Sequence, residues 1–324
     1  MSWSPATRSG RARLYQGALL LALVLAAGGL WWTVHHNLAA RQIRTGFSFL
    51  LEPAGFDIGE GPIPYEPRDS YLWAFLAGLA NTLRVSAAGI VAATFLGTLV
   101  GLGRLSHNAL VRGVSTTYVE VLRNVPLIVQ LLFWYVVATE LLPAPSEPLQ
   151  PLPHLFLSKG GLQFPLPSLS HGWDYPELTA FNVSGGGGVT PEFLTLFVGL
   201  TTFTGAAVAE IVRSGVLAVS HGQTEAASAL GLTRRQVIRF VVLPQARRII
   251  IPPLTSQYLN LTKNSSLAVA IGYPDVVSIA NTAINQNGQA LECILLIMAV
   301  YLTVNLATSA GMTWYERRVA LVER

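Results

Sequence analysis

Charge is scarce in this chain: Asp, Glu, Lys and Arg make up 12% of its 324 residues, against 51% hydrophobic ones. Soluble domains carry about a quarter charged residues, so half that share points to lipid as the surrounding medium, as does a mean hydropathy of +0.47. Cysteine is represented by Cys293 alone, inside an apolar run, which excludes a disulfide within the chain and a cysteine metal site. Lysine is nearly missing: among 21 basic residues only Lys159 and Lys263 are lysines, followed by Gly160 and Asn264. A phosphate loop needs its lysine directly before Ser or Thr. The four-glycine run "SGGGGVT" from Ser184 is therefore no Walker A motif, and it reads as a flexible connector. The six histidines have no metal-ligand spacing, and no nucleophile–base set supports an intramembrane enzyme. The net charge of +4 would suit nucleic acid, but a membrane protein with basic cytoplasmic loops has the same balance.

What is present is apolar runs. A helix needs about 20 mainly apolar residues to cross a bilayer. Tyr15 to Val34 supplies the first, after Arg8, Arg11 and Arg13; it is long for a signal peptide, and Trp31-Trp32 suits an interfacial anchor. Further spans lie within 71–105, 111–142, 192–219 and 289–314. The fifth of the six, Ile251 to Gly272, is the most polar: Gln257, Asn260 and Asn264 recur at helical spacing, and Pro252-Pro253 suit a helix start. It is the only span that looks broken. Pro126, inside the third, predicts a kink and a freed carbonyl. There is no internal repeat.

Arginine sets the orientation. Arg41, Arg44, Arg68 and Lys159 fall in the outward loops 35–70 and 143–190, while Arg84, Arg123 and Lys263 fall within spans. The remaining fourteen basic residues fall in inward segments, which predicts both termini in the cytoplasm.

The inward segment 213–248 contains "GQTEAASALGLTRRQVIRFVVLP", Gly222 to Pro244. Glu225 to Leu230 makes about two helical turns, Gly231 suits the left-handed residue that ends a helix, and Thr233 with Gln236 forms a capping box for a second helix, which Pro244 ends. Arg234 and Arg235 stand in its first turn, where the helix dipole disfavours cations, so an acidic partner or lipid headgroups would explain them. A two-turn helix is not stable alone and needs a surface. Ala226, Ala227 and Ala229 allow close approach to one, with Leu230 and Leu232 as anchors. An amphipathic loop resting on the membrane is a simpler reading. A DNA-reading helix-turn-helix needs a free second helix, whereas this one runs into the fifth span.

Spacing decides among these. Glu225-Ala226-Ala227, Gly231, Val241 and Leu243-Pro244 resemble the signature loop of permeases in ATP-binding-cassette (ABC) importers, with valine for the usual isoleucine as the one departure. "YVEVLRNVPLIVQLLFWY" from Tyr118, "GAAVAEIVRSGVLAVSHGQTEAA" from Gly205 and "LTKNSSLAVAIGYPDV" from Leu261 resemble further segments of polar and general L-amino-acid permeases, over roughly 70–320. "GFSFLLEPAGFDIG" from Gly46 resembles the leading extension of the general L-amino-acid branch.

The resemblance implies an all-α polytopic membrane protein of about six transmembrane helices, with the type I ABC importer permease fold, in a bacterial inner membrane. An N-terminal helix and periplasmic segment (1–70) precede a permease core (71–320), which carries a periplasmic insertion at 143–190 and a coupling loop at 220–244. The implied partners are a second, related permease, two ATPase subunits and a periplasmic amino-acid-binding protein, with lipid around them and no nucleic acid. The chain itself binds no cofactor; ATP and Mg belong to the ATPase. Glu225, Ala226, Ala227, Leu230, Gly231 and Leu232 would couple to it.

Ionisable groups inside spans are costly and usually functional. Glu120, Arg123, Asn124, Glu210, Asn260, Lys263 and Ser265, with Ser266, are the candidate substrate pathway. Glu120 with Arg123 and Glu210 with Arg213 stand three apart and can pair on a helix face. Arg84 reads as a residue near the outer interface. The other function classes are an ABC permease for another small solute and an ion-coupled secondary transporter, which would show paired broken helices.

Overall fold

The computed structural model describes residues 5–40, 45–168 and 172–319; Arg41, Arg44 and Arg324, which enter the charge count, lie outside them. The bundle is built around α2 (Tyr71–Gly103) and α5 (Pro191–Leu217). Each starts on a side-chain cap: Ser70 Oγ accepts the Trp73 N–H at 3.3 Å, and Thr190 Oγ1 accepts the Phe193 N–H at 3.2 Å. The two helices run so close together that a Cβ on Gly97 would stand 2.6 Å from Val208 Cβ, and one on Gly101 2.7 Å from the Ala209 carbonyl oxygen. Val85, Ala93, Leu196 and Leu200 fill the seam, joined by Leu131 of α4 (Leu127–Val136) and Leu261 of α8 (Leu243–Asn264). At the start of α2 Phe49 and Ala54 pack with Tyr71 and Phe75, with Ile279 and Ala280 of α9 (Val276–Asn287) and with Cys293 of α10 (Ala290–Val319).

Among the described residues, four unbroken helices are long and apolar enough to cross a membrane: the Tyr15–Thr33 stretch of α1 (Pro5–Ala40), α2, α5 and most of α10. The α1 stretch buries nothing against the rest of the chain, which leaves its apolar surface for lipid or another subunit. Two further spans exist only as bent pairs, so the count is six when each pair is taken as one. The third breaks at Pro126 by 104° between α3 (Ala109–Asn124) and the helix from Leu127 to Leu141. Val125, before the proline, is extended (φ −96, ψ 127), because the proline ring blocks the helical region for the residue ahead of it. The expected kink is thus a full break, and the fifth span is not the only broken one.

Two proline readings are corrected. Pro244 does not end the second hairpin helix; it stands in the first turn of α8, after a π-helical turn at Ile238–Val242. That widened turn keeps the chain helical where a proline ring would clash with the carbonyl four residues back. Pro252 and Pro253 lie inside α8 rather than at its start. The helix runs on to Ile271 before bending by 48° into α9.

The segment between α4 and α5 adds short strands to the mostly helical described residues. Leu149–Leu152 (β1), Leu155–Ser158 (β2), Gly161–Phe164 (β3) and Gly187–Val189 (β8) form an antiparallel sheet in that order. Leu166–Ser168 (β4) pairs with Gly172–Asp174 (β5), and Glu177–Leu178 (β6) with Val183–Ser184 (β7). This corrects the flexible-connector reading of the glycine run. Gly185 and Gly186 make the left-handed turn (φ 83 and 63) into β8, and a Cβ on Gly186 would meet the Phe164 carbonyl oxygen at 2.7 Å. These glycines serve close packing of backbone.

Gly97→Leu is expected to force α2 and α5 apart and cost about 1–3 kcal/mol or more, read as a lower Tm of the subunit in detergent. Gly113→Leu, where a Cβ meets nothing within 4 Å, serves as the unaffected control.

Candidate translocation pathway and coupling loop

The break at Pro126 releases backbone groups, and a side chain takes them up. Gln130, buried in the first turns of α4, donates through Nε2 to the Leu122 carbonyl at 2.8 Å and the Val125 carbonyl at 2.9 Å. Helix α3 therefore ends in a fixed corner, which carries Glu120, Arg123 and Asn124 on its last turn. These three line a cavity of about 320 Å³ with Val119, Arg104 from the end of α2 and Glu210 from α5.

Glu210 is the charge centre of that cavity. Its carboxylate accepts from Arg213 Nη2 at 2.5 Å, from Arg104 Nη1 and from Ser214 Oγ at 3.2 Å. The expected Glu210–Arg213 pair is present, with Arg104 added. The Glu120–Arg123 pair is not among the ion pairs of the described residues, which corrects that expectation. Arg123 stands in the last turn of α3, where free carbonyls attract a cation, and both side chains face open space. The cavity thus holds two guanidinium and two carboxylate groups, able to meet both charges of a zwitterion.

The other pathway candidates are not brought there. Asn260 and Lys263 are exposed on α8, while Ser265 is buried and donates to the Thr262 carbonyl at 2.7 Å. Ser266 likewise donates to the Lys263 carbonyl at 2.7 Å. Arg84 is not a simple interface residue: its guanidinium lies 2.8 Å from Glu60 and 4.5 Å above the Phe193 ring.

The hairpin has the form its residues predict, one turn longer at its start. Helix α6 (His221–Ala229) closes with the Gly231 N–H on the Ser228 carbonyl at 2.9 Å and the Leu232 N–H on the Ala227 carbonyl at 3.2 Å. This is the Schellman pairing, and Gly231 takes its left-handed position at φ 82. The Thr233–Gln236 capping box starts α7 (Arg234–Val237). Leu230 is 82% exposed, and Glu225 and Ala226 are exposed beside it. Ala227 differs from its expected role: it is 5% exposed and turned toward the rest of the chain. A cavity of about 760 Å³ lies between α6, α7 and the end of α5. Arg234 Nη2 lies 3.2 Å from His107 Nε2 in the α2–α3 loop, a contact within the chain where an acidic partner or lipid was expected.

Helices, breaks and hairpin together match known proteins. The model of the binding-protein-dependent transport system inner membrane component family matches residues 76–321. The chain belongs to that family. Among its relatives, the general L-amino acid transport system permease protein AapQ of Rhizobium johnstonii is 39% identical, over 97% of this chain and 93% of its own. The putative amino-acid ABC transporter permease protein YhdX of Escherichia coli is 41% identical, over 100% and 98%. A crystal structure of an amino acid ABC transporter with histidines aligns with TM-score 0.58 and 26% identity, over 76% of this chain and 95% of that one. The fold is that of type I importer permeases.

Sequence reasoning about this family member missed Arg104, Gln130 and Glu60. Arg104 was counted only as an inward charge, and Gln130 sat unremarked in an apolar run. The signal for Gln130 was a lone amide one helical turn after a proline break.

Gln130→Leu is expected to leave two carbonyls unpaired and cost about 1–3 kcal/mol, measured as a lowered Tm of the permease in detergent. Val129→Ala, at an exposed neighbour, should cost much less.

Proposed function

We propose that this permease is half of the membrane pathway of an ATP-driven amino-acid importer. It pairs with a second, related permease, and two ATPase subunits drive it, holding ATP and Mg. A periplasmic binding protein delivers the substrate. It is a transport subunit and not an enzyme, and it sits in the bacterial inner membrane with both termini in the cytoplasm. The amino-acid class rests on the relatives, which are named as amino-acid permeases over nearly their whole length.

The observation that carries the coupling is the closed, exposed turn at Glu225–Leu232. Leu230 presents an apolar side chain to solvent on a helix locked by two backbone hydrogen bonds. An exposed leucine on a short, rigid element suits a groove on a partner. Glu225, Ala226, Leu230, Gly231 and Leu232 form the docking face, and Ala227 seats that face on the rest of the chain. Closure of the ATPase pair would then displace the hairpin. The cavity of Glu120, Arg123, Asn124 and Glu210 is the best-formed part of the pathway, with Asn260 and Lys263 on the exposed side of α8.

An ion-coupled secondary transporter is the second reading, and the two broken spans speak for it. Family membership and the exposed hairpin favour the ATP-driven one. A permease for another small solute differs only in cargo.

Reconstitution with the partner subunits should give amino-acid uptake that needs both ATP and the binding protein. Gly231→Asp is expected to abolish it while the subunit still inserts, because an L side chain is strained at this φ. Uptake without an ATPase would favour the secondary transporter, and full uptake by the variant would remove the coupling assignment.

A further inference from the structure

A second polar cavity, of about 570 Å³, opens on the outward side, away from the Glu210 cluster. It lies within the usual range for small-molecule sites, about 300–1,000 Å³. Its walls come from four separate parts of the chain: Glu60 in the segment ahead of α2, Arg84 on α2, Gln163 on β3 and Thr190 at the cap of α5. The first wall lies outside the family-matched region 76–321.

The two charges of this cavity are paired with each other. Glu60, its side chain 8% exposed, takes Arg84 Nη1 at 2.8 Å on one oxygen and the Thr190 hydroxyl on the other. That pair uses one of the five N–H donors of a guanidinium, and the α5 N-terminus adds positive potential beside it. Gln163 lines the same cavity; its Nε2 reaches only the Gly160 carbonyl at 3.5 Å, and its Oε1 has no hydrogen-bond partner. Beneath Gly61 the wholly buried Asn81 spends its Nδ2 on the Glu60 and Pro274 carbonyls and leaves Oδ1 unpaired. Arg84 and Gln163 thus line one cavity with Asn81 directly beneath its Gly61 wall, and unpaired buried acceptors are costly unless something donates to them.

We propose that this outward cavity is a binding site for the charged ends of an α-amino acid, its carboxylate on Arg84 and its ammonium on Glu60 and Gln163, ahead of passage through the membrane. The proposal rests on the amino-acid reading above. A cavity that merely latched the outward segment to α2 and α5 would need the Glu60–Arg84 pair but neither an open volume nor the bare Gln163 oxygen. Gly188 lines the same wall, and a Cβ there meets only ordinary contacts, Gln163 Cγ at 3.7 Å and the Leu162 carbonyl at 3.8 Å. A larger side chain can therefore fill the cavity without disturbing the ion pair.

The test is equilibrium binding of tritiated L-glutamate, L-glutamine, L-leucine and L-arginine, one at a time, to the complete transporter in lipid nanodiscs without nucleotide or binding protein. Saturable binding of at least one is expected, with no competition from its 2-hydroxy-acid or decarboxylated analogue. Gln163→Leu, which removes a hydrogen bond to a charged group, should weaken it about tenfold or more, and Gly188→Val should abolish it. Unchanged binding in both variants, or no binding while ATP- and binding-protein-driven uptake of these amino acids proceeds, overturns the site and leaves the amino-acid reading standing. A transporter that takes up none of the four overturns that reading, and the site with it.

Discussion

Everything else in this chain hangs on the close approach of α2 and α5. Lipid is as apolar as the side chains, so helices in a membrane gain little by hiding leucines from it and are held by tight van der Waals contact. Glycine makes that contact possible. Gly97 and Gly101 admit the Val208 and Ala209 backbone region of α5, and Gly78 admits Ile279 and the start of α9. On the other side of α5, Gly199 and Gly215 receive Leu131 and Ile250. Each neighbour of the central pair is thus seated on a missing side chain, which fixes where α4, α8 and α9 lie.

Against this rigid pair two helical stretches break, the third and the fifth in order, and each break has its own polar attendant. Backbone groups at membrane depth must find partners within the protein. At Pro126 the partner is Gln130. At the turn into α9, Asp275 Oδ1 accepts the Ser278 N–H at 2.8 Å, and Thr82 Oγ1 of α2 accepts the Val276 N–H at 3.2 Å. This need competes with transport for the same residue types. Ser265 illustrates it: a polar residue in a span reads as a substrate contact, yet its hydroxyl is spent on the helix itself. Glu210 is also engaged, but by guanidinium groups at the edge of open space, where a further ligand has access.

How much could be read from residues alone follows from how local the physics is. The hairpin was legible because a Schellman glycine and a capping box act within about six residues. The apolar stretches, four unbroken and up to six with each bent pair taken as one, were legible because hydropathy sums over a window. The strands of the insertion were not legible: they are two to four residues long, and Gly187 and Gly188 belong to β8 only because β3, more than twenty residues earlier, pairs with them. Pro126, Pro244 and Pro252 look alike in sequence but act differently: one breaks a span, one follows a π turn and one sits within a helix. The difference lies in which carbonyls have other partners, and that is a tertiary fact. Glu60 was overlooked for the same reason, since its role exists only once Arg84 and Thr190 stand beside it.

The continuity of the hairpin with α8 changes how an inward push would travel. A separate loop would absorb displacement in its connections. Here the chain stays helical from Arg234 to Ile271, so the hairpin's second arm and the fifth span form one rod of two compliant points. One is the π turn at Ile238–Val242, and the other is the 3-10 turn at Ser265–Ile271, where the hydrogen-bond ladder tightens. Between them α8 is pressed against α5 through Ile250 and Leu254, which meet Val208 and Val212. A displacement of this rod would therefore bear on α5 at Val208 and Val212, two residues to either side of Glu210. On the coupling proposed above, the exposed turn and the Glu210 cavity are joined by this one rod, because the helical course does not end at Pro244.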